Sequence, residues 1–175
     1  MANVDNPHGL RPLMRTIEGG FPEIRTFDKD ASEAAAIFIW DAVNQEADGN
    51  IEANSATPGT TRFTGVSLNH GAASTLTSHS VIVSPGAIFE AQDNSDTDGF
   101  TAADMGLNVN LELNAGSATT FISGHELDES TVNTTATLDI KMLQLLNVPD
   151  NAAGAWSRVE VRFNKHRMSP EVAGV

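Results

Sequence analysis

The chain has 175 residues, no cysteine and a formal charge of -13, with 40% hydrophobic and 19% charged residues. This composition suits one compact domain with a real core and excludes a disordered or fibrous chain, a disulfide framework, a thiolate metal site and a thiol nucleophile. The charge argues against nucleic acid, polyphosphate or an anionic membrane as partner, since phosphate binding needs clustered Lys and Arg. The 78 residues between Arg62 and Lys141 contain neither, yet carry ten of the 23 acidic side chains.

Residues 1–30 are punctuated by Pro7, Gly9, Pro12, Gly19, Gly20 and Pro22 too often for a helix or a central strand. Leu10, Leu13, Met14, Ile17 and Phe21 make them too apolar for a solvated tail. They read as an extended N-terminal arm that lies on a surface, its own or a partner's, ahead of a β domain over 31–175. Residues 1–25 are expected to serve attachment more than folding. Met1 to Asn6 lack the basic and apolar segments of a secretory leader, and no apolar run reaches the ~18 residues of a membrane span.

Along the body, strands fit Ile37 to Val43, Arg62 to Leu68, Leu76 to Val83 and Ala87 to Gln92. The clearest period-two alternation places Leu107, Val109, Leu111 and Leu113 between Asn108, Asn110 and Glu112. Thr119 to Ser123 and Thr137 to Leu145 follow, and then Val159, Val161 and Phe163 alternate with Arg158, Glu160 and Arg162. Turn-forming clusters separate them at Thr57-Pro58-Gly59, Asn69-His70-Gly71, Ser84-Pro85-Gly86, Asp98-Gly99, Asn114-Ala115-Gly116 and Pro149-Asp150-Asn151. Ser32 to Ala36 and Lys141 to Leu146 offer at most a helical turn or two. The fold class is mainly β, an antiparallel barrel or sandwich with little helix.

Chemistry-bearing patterns are incomplete. Asn94 to Gly99 copies the first six places of a calcium loop, but the twelfth falls on Met105, which supplies no carboxylate, so an acidic turn is expected and no metal or cofactor. Gly65-Val66-Ser67-Leu68-Asn69 lacks the second glycine of a nucleophile elbow, leaving Ser67 a strand residue. His8, His70, His79, His125 and His166 show no zinc-helix spacing, though His70 and His79 could meet across a hairpin. Glu126, Asp128 and Glu129 read as a solvated charge run, and no glycine-rich phosphate cradle is present. Trp40 and Trp156 could build a sugar-stacking platform, but the apolar run Phe38 to Trp40 points to a core or a symmetric subunit contact, as in a trimer.

Positive charge gathers at the ends, with Arg11, Arg15 and Arg25 in the arm and Arg158, Arg162, Lys165, His166 and Arg167 near the C-terminus. Both groups can meet acidic surface on this chain, a neighbouring copy or another protein.

The opening Met1-Ala2-Asn3 followed by Asn6-Pro7-His8-Gly9-Leu10-Arg11-Pro12 resembles the start of the capsid cement, or decoration, proteins of tailed phages. The similarity continues through Val81-Ile82-Val83, Pro85, Ile88 to Gln92, Asp104 to Asn108, Ser123-Gly124, Leu127-Asp128 and Asn147 to Asn151 before Val159-Glu160-Val161, covering most of the chain. It implies a non-catalytic, mainly β protein, commonly trimeric, on the outer surface of an icosahedral virion. Such a protein bridges major capsid subunits and stabilises the expanded, filled head. Pro7, Leu10, Arg11, Leu13, Arg15, Ile17, Phe21, Trp40, Arg162 and Arg167 are then the expected capsid or subunit contacts. A receptor- or carbohydrate-binding β module is the rival, and the placement of Trp156 and of Asn94 to Asp98 separates the two. A small hydrolase would need a convergent polar pocket that no motif supplies.

Overall fold

Alternating apolar residues assemble eleven strands in the computed structural model, which describes residues 3–53, 62–96, 98–171 and 173–174. In chain order these are β1 (Arg11–Thr16), β2 (Ile24–Lys29), β3 (Ala42–Gln45), β4 (Ile51–Ala53), β5 (Gly65–Ser67) and β6 (Thr77–Ile82). Then follow β7 (Ala87–Gln92), β8 (Asn108–Glu112), β9 (Glu126–Asn133), β10 (Ile140–Leu145) and β11 (Arg158–Phe163). They form two antiparallel sheets, ordered β1-β7-β11-β10-β8-β9 and β2-β6-β5-β3-β4. The sheets make an open sandwich rather than a closed barrel. A 3-10 turn, Ala102–Asp104, is capped by a reciprocal Thr101–Asp104 box and is the one helical element among the described residues.

The main core lies between the sheets. Phe89, Val109, Leu111, Met142, Val159, Val161 and Phe163 from the six-stranded sheet meet Ala42, Val66 and Ile82 from the other. Phe163 stacks on Phe63 at 5.0 Å between ring centres and meets Phe89 edge-on at 5.6 Å. One position along each strand the side chains reverse face. Val43 and Val81 therefore join Ile37, Ile51 and Val83 in a second apolar cluster on the other side of the five-stranded sheet. Lys29 is fully buried, with its ammonium directed at the carbonyls of Glu33, Ala72 and Thr75 at 3.1–3.4 Å, which ties two loops together without a carboxylate.

The N-terminal segment is extended, but it is not a separate arm. β1 pairs with β7 at the edge of one sheet and β2 pairs with β6 at the edge of the other. Proline excludes a central strand but not an edge, and Pro12 sits in β1 opposite Phe89 beside a bulge at Met14 (φ 54°). Leu10 is wholly buried in the main core. Ahead of it, Asn3 exchanges hydrogen bonds with Ala152, and Gln92 bonds the Val4 carbonyl and the Asn6 amide. The chain reaches this position through Gly9 (φ 68°), where an added Cβ would overlap Ser123 and the Trp40 carbonyl. The expectation of an arm apart from the β domain is therefore corrected: the segment supplies one edge strand to each sheet and Leu10 to the core.

Other elements also differ. The strand expected over Ile37 to Val43 begins only at Ala42, because Trp40 is left-handed (φ 71°) and closes a turn, Asp41 N–H donating to Phe38 O. Thr119 to Ser123 is a tight turn whose Ile122 bridges Ile39, and Ser32 to Ala36 is irregular, with Asp30 accepting the Ser32 and Glu33 amides. Lys141 to Leu146 belongs to strand rather than helix. Thr57-Pro58-Gly59 lies outside the described residues.

Truncating a fully buried leucine typically costs about 2–5 kcal/mol, and Leu10→Ala is expected to fall in that range by urea denaturation. Deleting residues 1–16 removes β1 and uncovers β7, and calorimetry should then show loss of the cooperative transition that a freely attached arm would leave intact.

Candidate functional site

Two chain segments cross between the sheets side by side at one corner of the sandwich. Residues 17–23 carry β1 into β2, and residues 83–86 carry β6 into β7. Ile17 N–H donates to Gly86 O at 2.9 Å, Val83 N–H to Glu23 O at 3.0 Å, and Glu23 N–H to the Ser84 hydroxyl at 2.6 Å. Thr16 closes the outer turn onto Gly19 and Gly20, both with positive φ. With its backbone satisfied in this way, the corner presents apolar side chains to solvent. Phe21 is 86% exposed, Ile17 51%, Ile24 44% and Met14 42%.

Arg11 and Arg15, expected to reach carboxylates on a partner, meet carboxylates of their own sheet. Buried Glu90 on β7 gathers Arg158 at 3.4 Å, His8 at 3.6 Å and Arg11 at 3.7 Å, while Glu160 on β11 takes Arg15 at 2.6 Å. The C-terminal basic group disperses. Lys165 and His166 are buried, Arg162 donates to the Phe163 carbonyl and Arg167 to the Gln45 carbonyl. Burial pulls His166 down to about 4. Of the other expected contacts, Leu10 is inside, Leu13 is half-buried on β1, and Pro7 is exposed beside a cleft.

That cleft, about 790 Å³, draws on five distant segments. Residues 3–11 supply Asn3 to His8 and Arg11, and β7 supplies Glu90 and Gln92; Ala115 to Ser117, Thr120 and Ile122 to Gly124 come from a long loop, and Asp150, Trp156 and Arg158 from the approach to β11. Trp40 also lines it, half-buried, with the His8 ring edge-on at 6.4 Å and the Arg11 guanidinium 5.9 Å from its centre. Trp40 thus packs partly on the core and partly faces the cleft. Trp156 is 37% exposed. The two tryptophans, considered together as a platform but expected in a core or subunit contact, thus line one cleft, with Trp40 also on the core.

Elsewhere the structure joins groups without access or without a ligand set. Ser67 and His79 do meet, Oγ to Nδ1 at 2.8 Å, but both are fully buried and the serine hydroxyl also reaches the Asn69 carbonyl at 2.9 Å, so no substrate reaches the pair. His70 packs instead against Phe38 and Phe121. In the acidic turn, the Asn94 side-chain oxygen accepts from the Glu129 and Asp96 amides, and Glu129 accepts from the Asp98 amide, which occupies these oxygens in holding the loop. Asp30, Glu46 and Asp48 bring carboxylate oxygens within 4.8 Å of one another, a grouping of mostly exposed side chains that sequence spacing did not reveal.

The run read as solvated charge, Glu126 to Glu129, is the start of β9, with Leu127 in the core. Burial, reinforced by Asp5 and Glu112, pushes the Glu126 carboxyl up to about 7. Burial likewise raises Asp93 to about 6.

Comparison with protein-family models, curated proteins and solved structures finds no match to this chain.

The raised carboxyls have a testable consequence. A group whose folded pKa exceeds its unfolded value stabilises fully below the unfolded value, and that contribution fades as pH rises through the folded one. For Glu126 the window runs from 4.5 to about 7. His166 works oppositely below its unfolded value of 6.5. Between pH 8 and 6.5 the melting temperature should therefore rise on acidification, and Glu126→Gln should raise it at pH 8 and flatten that slope. An unchanged slope in the variant, measured by calorimetry, would place the effect on other groups.

Proposed function

We propose that the chain is a capsid decoration protein, a non-catalytic virion component that sits on the exterior of an icosahedral phage head and cements neighbouring major capsid subunits of the expanded, filled shell. The ordered sequence resemblance over most of the chain supports this reading, as does the mainly β fold. The observation that carries it is the exposed apolar corner of Ile17, Phe21 and Ile24, held on two hydrogen-bonded crossings. A large aromatic left in water on an ordered backbone needs no further ordering to dock, so its burial is offset by little entropy loss.

The mode of contact follows from the edge strands. Pro12 and the bulge at Met14 interrupt β1, so docking uses side chains of the corner rather than an added strand. Arg11 and Arg15 serve by fixing β1 to its own sheet, which positions the corner. Many modest contacts of this kind, repeated over a shell and joined within a trimer, give strong attachment by avidity. The excess of negative charge on the remaining faces keeps crowded copies apart.

The test is Phe21→Asp in the full-length protein. At such an exposed position the change should alter stability by no more than about 0.5 kcal/mol, while apparent affinity for expanded shells lacking the protein falls at least about tenfold in a co-sedimentation assay. Wild-type decoration by the variant would sink the proposal, and sedimentation equilibrium of both proteins reads the trimer directly.

A further inference from the structure

The chain has two tryptophans, and both occupy the same unusual backbone position. Each is the third residue of a four-residue turn closed by a hydrogen bond from the fourth to the first, Phe38 to Asp41 for Trp40 and Gly154 to Ser157 for Trp156. Each has positive φ, 71° and 54°. That place in a turn favours Gly or Asn, and a bulky side chain there is a strained choice that persists only when the surroundings hold it. They do so here. The Trp40 backbone bonds Ser67 O and Leu10 N–H, and the Trp156 carbonyl accepts from Gln92 Nε2 at 3.0 Å. Both residues line the 790 Å³ cleft.

We propose that this cleft binds a short neutral oligosaccharide, with Trp156 as the stacking surface for the apolar face of a sugar ring and Trp40, covered by the Arg11 guanidinium, as part of the cleft wall. Its volume lies within the roughly 300–1,000 Å³ of small-molecule sites. The charged lining sets Arg11 and Arg158 against Asp5, Glu90 and Asp150, a small negative excess in an acidic chain that disfavours a polyanion. Glu90 holds the two guanidinium groups only at 3.4–3.7 Å, and each keeps further N–H donors for ligand hydroxyls. An indole face combined with mixed donors and acceptors of low net charge matches the alternating C–H faces and hydroxyl edges of a pyranose chain. The N-terminal segment acquires a second role, since residues 3–8 and Arg11 complete this lining.

The site stands apart from the corner around Phe21, and neither depends on the other. Tryptophan fluorescence of the full-length protein would be titrated with maltotriose, cellotriose and chitotriose, and with trigalacturonic acid as the anionic comparison. We expect a saturable change with at least one neutral trisaccharide, at a Kd between about 10 µM and 1 mM. Trp156→Asn suits the left-handed turn while removing the indole, and should weaken binding at least about tenfold without lowering the melting temperature; Trp156→Phe should retain most of it. A variant-free readout is protection of Trp156 from N-bromosuccinimide, with slower oxidation of its peptide when a neutral trisaccharide is present. The proposal is overturned if no neutral trisaccharide alters fluorescence or oxidation, or if the acidic trisaccharide binds more tightly. Loss of self-association or shell binding in Trp156→Asn, with no sugar response in wild type, would instead make the cleft a protein contact.

Discussion

The double crossing at one corner of the sandwich is the constraint on which the rest of the molecule depends. β1 lies on β7 and β2 on β6, so a single pair of crossings, bonded to each other at Ile17–Gly86 and Val83–Glu23, fixes the relation of one sheet to the other. Neither sheet can shift against its neighbour without breaking those bonds or withdrawing Leu10 from between them. Within the crossing Pro22 is buried, while Ile17, Phe21 and Ile24 around it stay at the surface on a committed backbone. Exposure of Phe21 is thus a result of topology, and any role in docking uses surface that the fold could not hide.

Electrostatics follow from the same geometry. In a chain this acidic, Glu90 and Glu160 could be buried beneath the N-terminal segment only with cations nearby, and Arg11, Arg15 and Arg158 provide them, while burial lowers the His8 pKa and favours its neutral ring. Most of these cations come from the two ends of the sequence. Their partners sit on adjacent central strands, so the charge segregation visible along the chain becomes a local balance in space. At the other edge of that sheet no such supply exists, because the tract between Arg62 and Lys141 is without basic residues. Glu126 and Asp93 instead hold their protons more tightly, and acidic surface concentrates there.

Period-two alternation made β8 and β11 legible almost to the residue, and β7 was placed although it is buried on both faces, whereas the strand expected over Thr137 to Leu145 begins only at Ile140. β9 was hidden because its first turn of sequence, Glu126-Leu127-Asp128-Glu129, has one core residue among three acids, and an edge strand needs no more. β1 and β2 were hidden for a related reason. Pro12 forbids a central strand and says nothing about an edge, and a short apolar segment reads alike whether it lies on its own sheet or a neighbour's. Trp40 was taken with the apolar run around it, because sequence carries no mark of positive φ at a residue other than glycine. The cleft was illegible altogether, as its lining comes from parts of the chain more than a hundred residues apart.

The interrupted ladder of β1 has a consequence for proteostasis. A long regular edge strand is a template for amyloid-like growth wherever copies of a chain meet edge to edge. Here β1, one of the two outer strands of the larger sheet, carries a proline without an amide hydrogen, a left-handed methionine that breaks register and an arginine pair. Such an edge offers no continuous row of donors and acceptors to an incoming strand. Substituting Pro12 and straightening the bulge would remove that safeguard from this edge and favour polymerisation of copies through their own backbone.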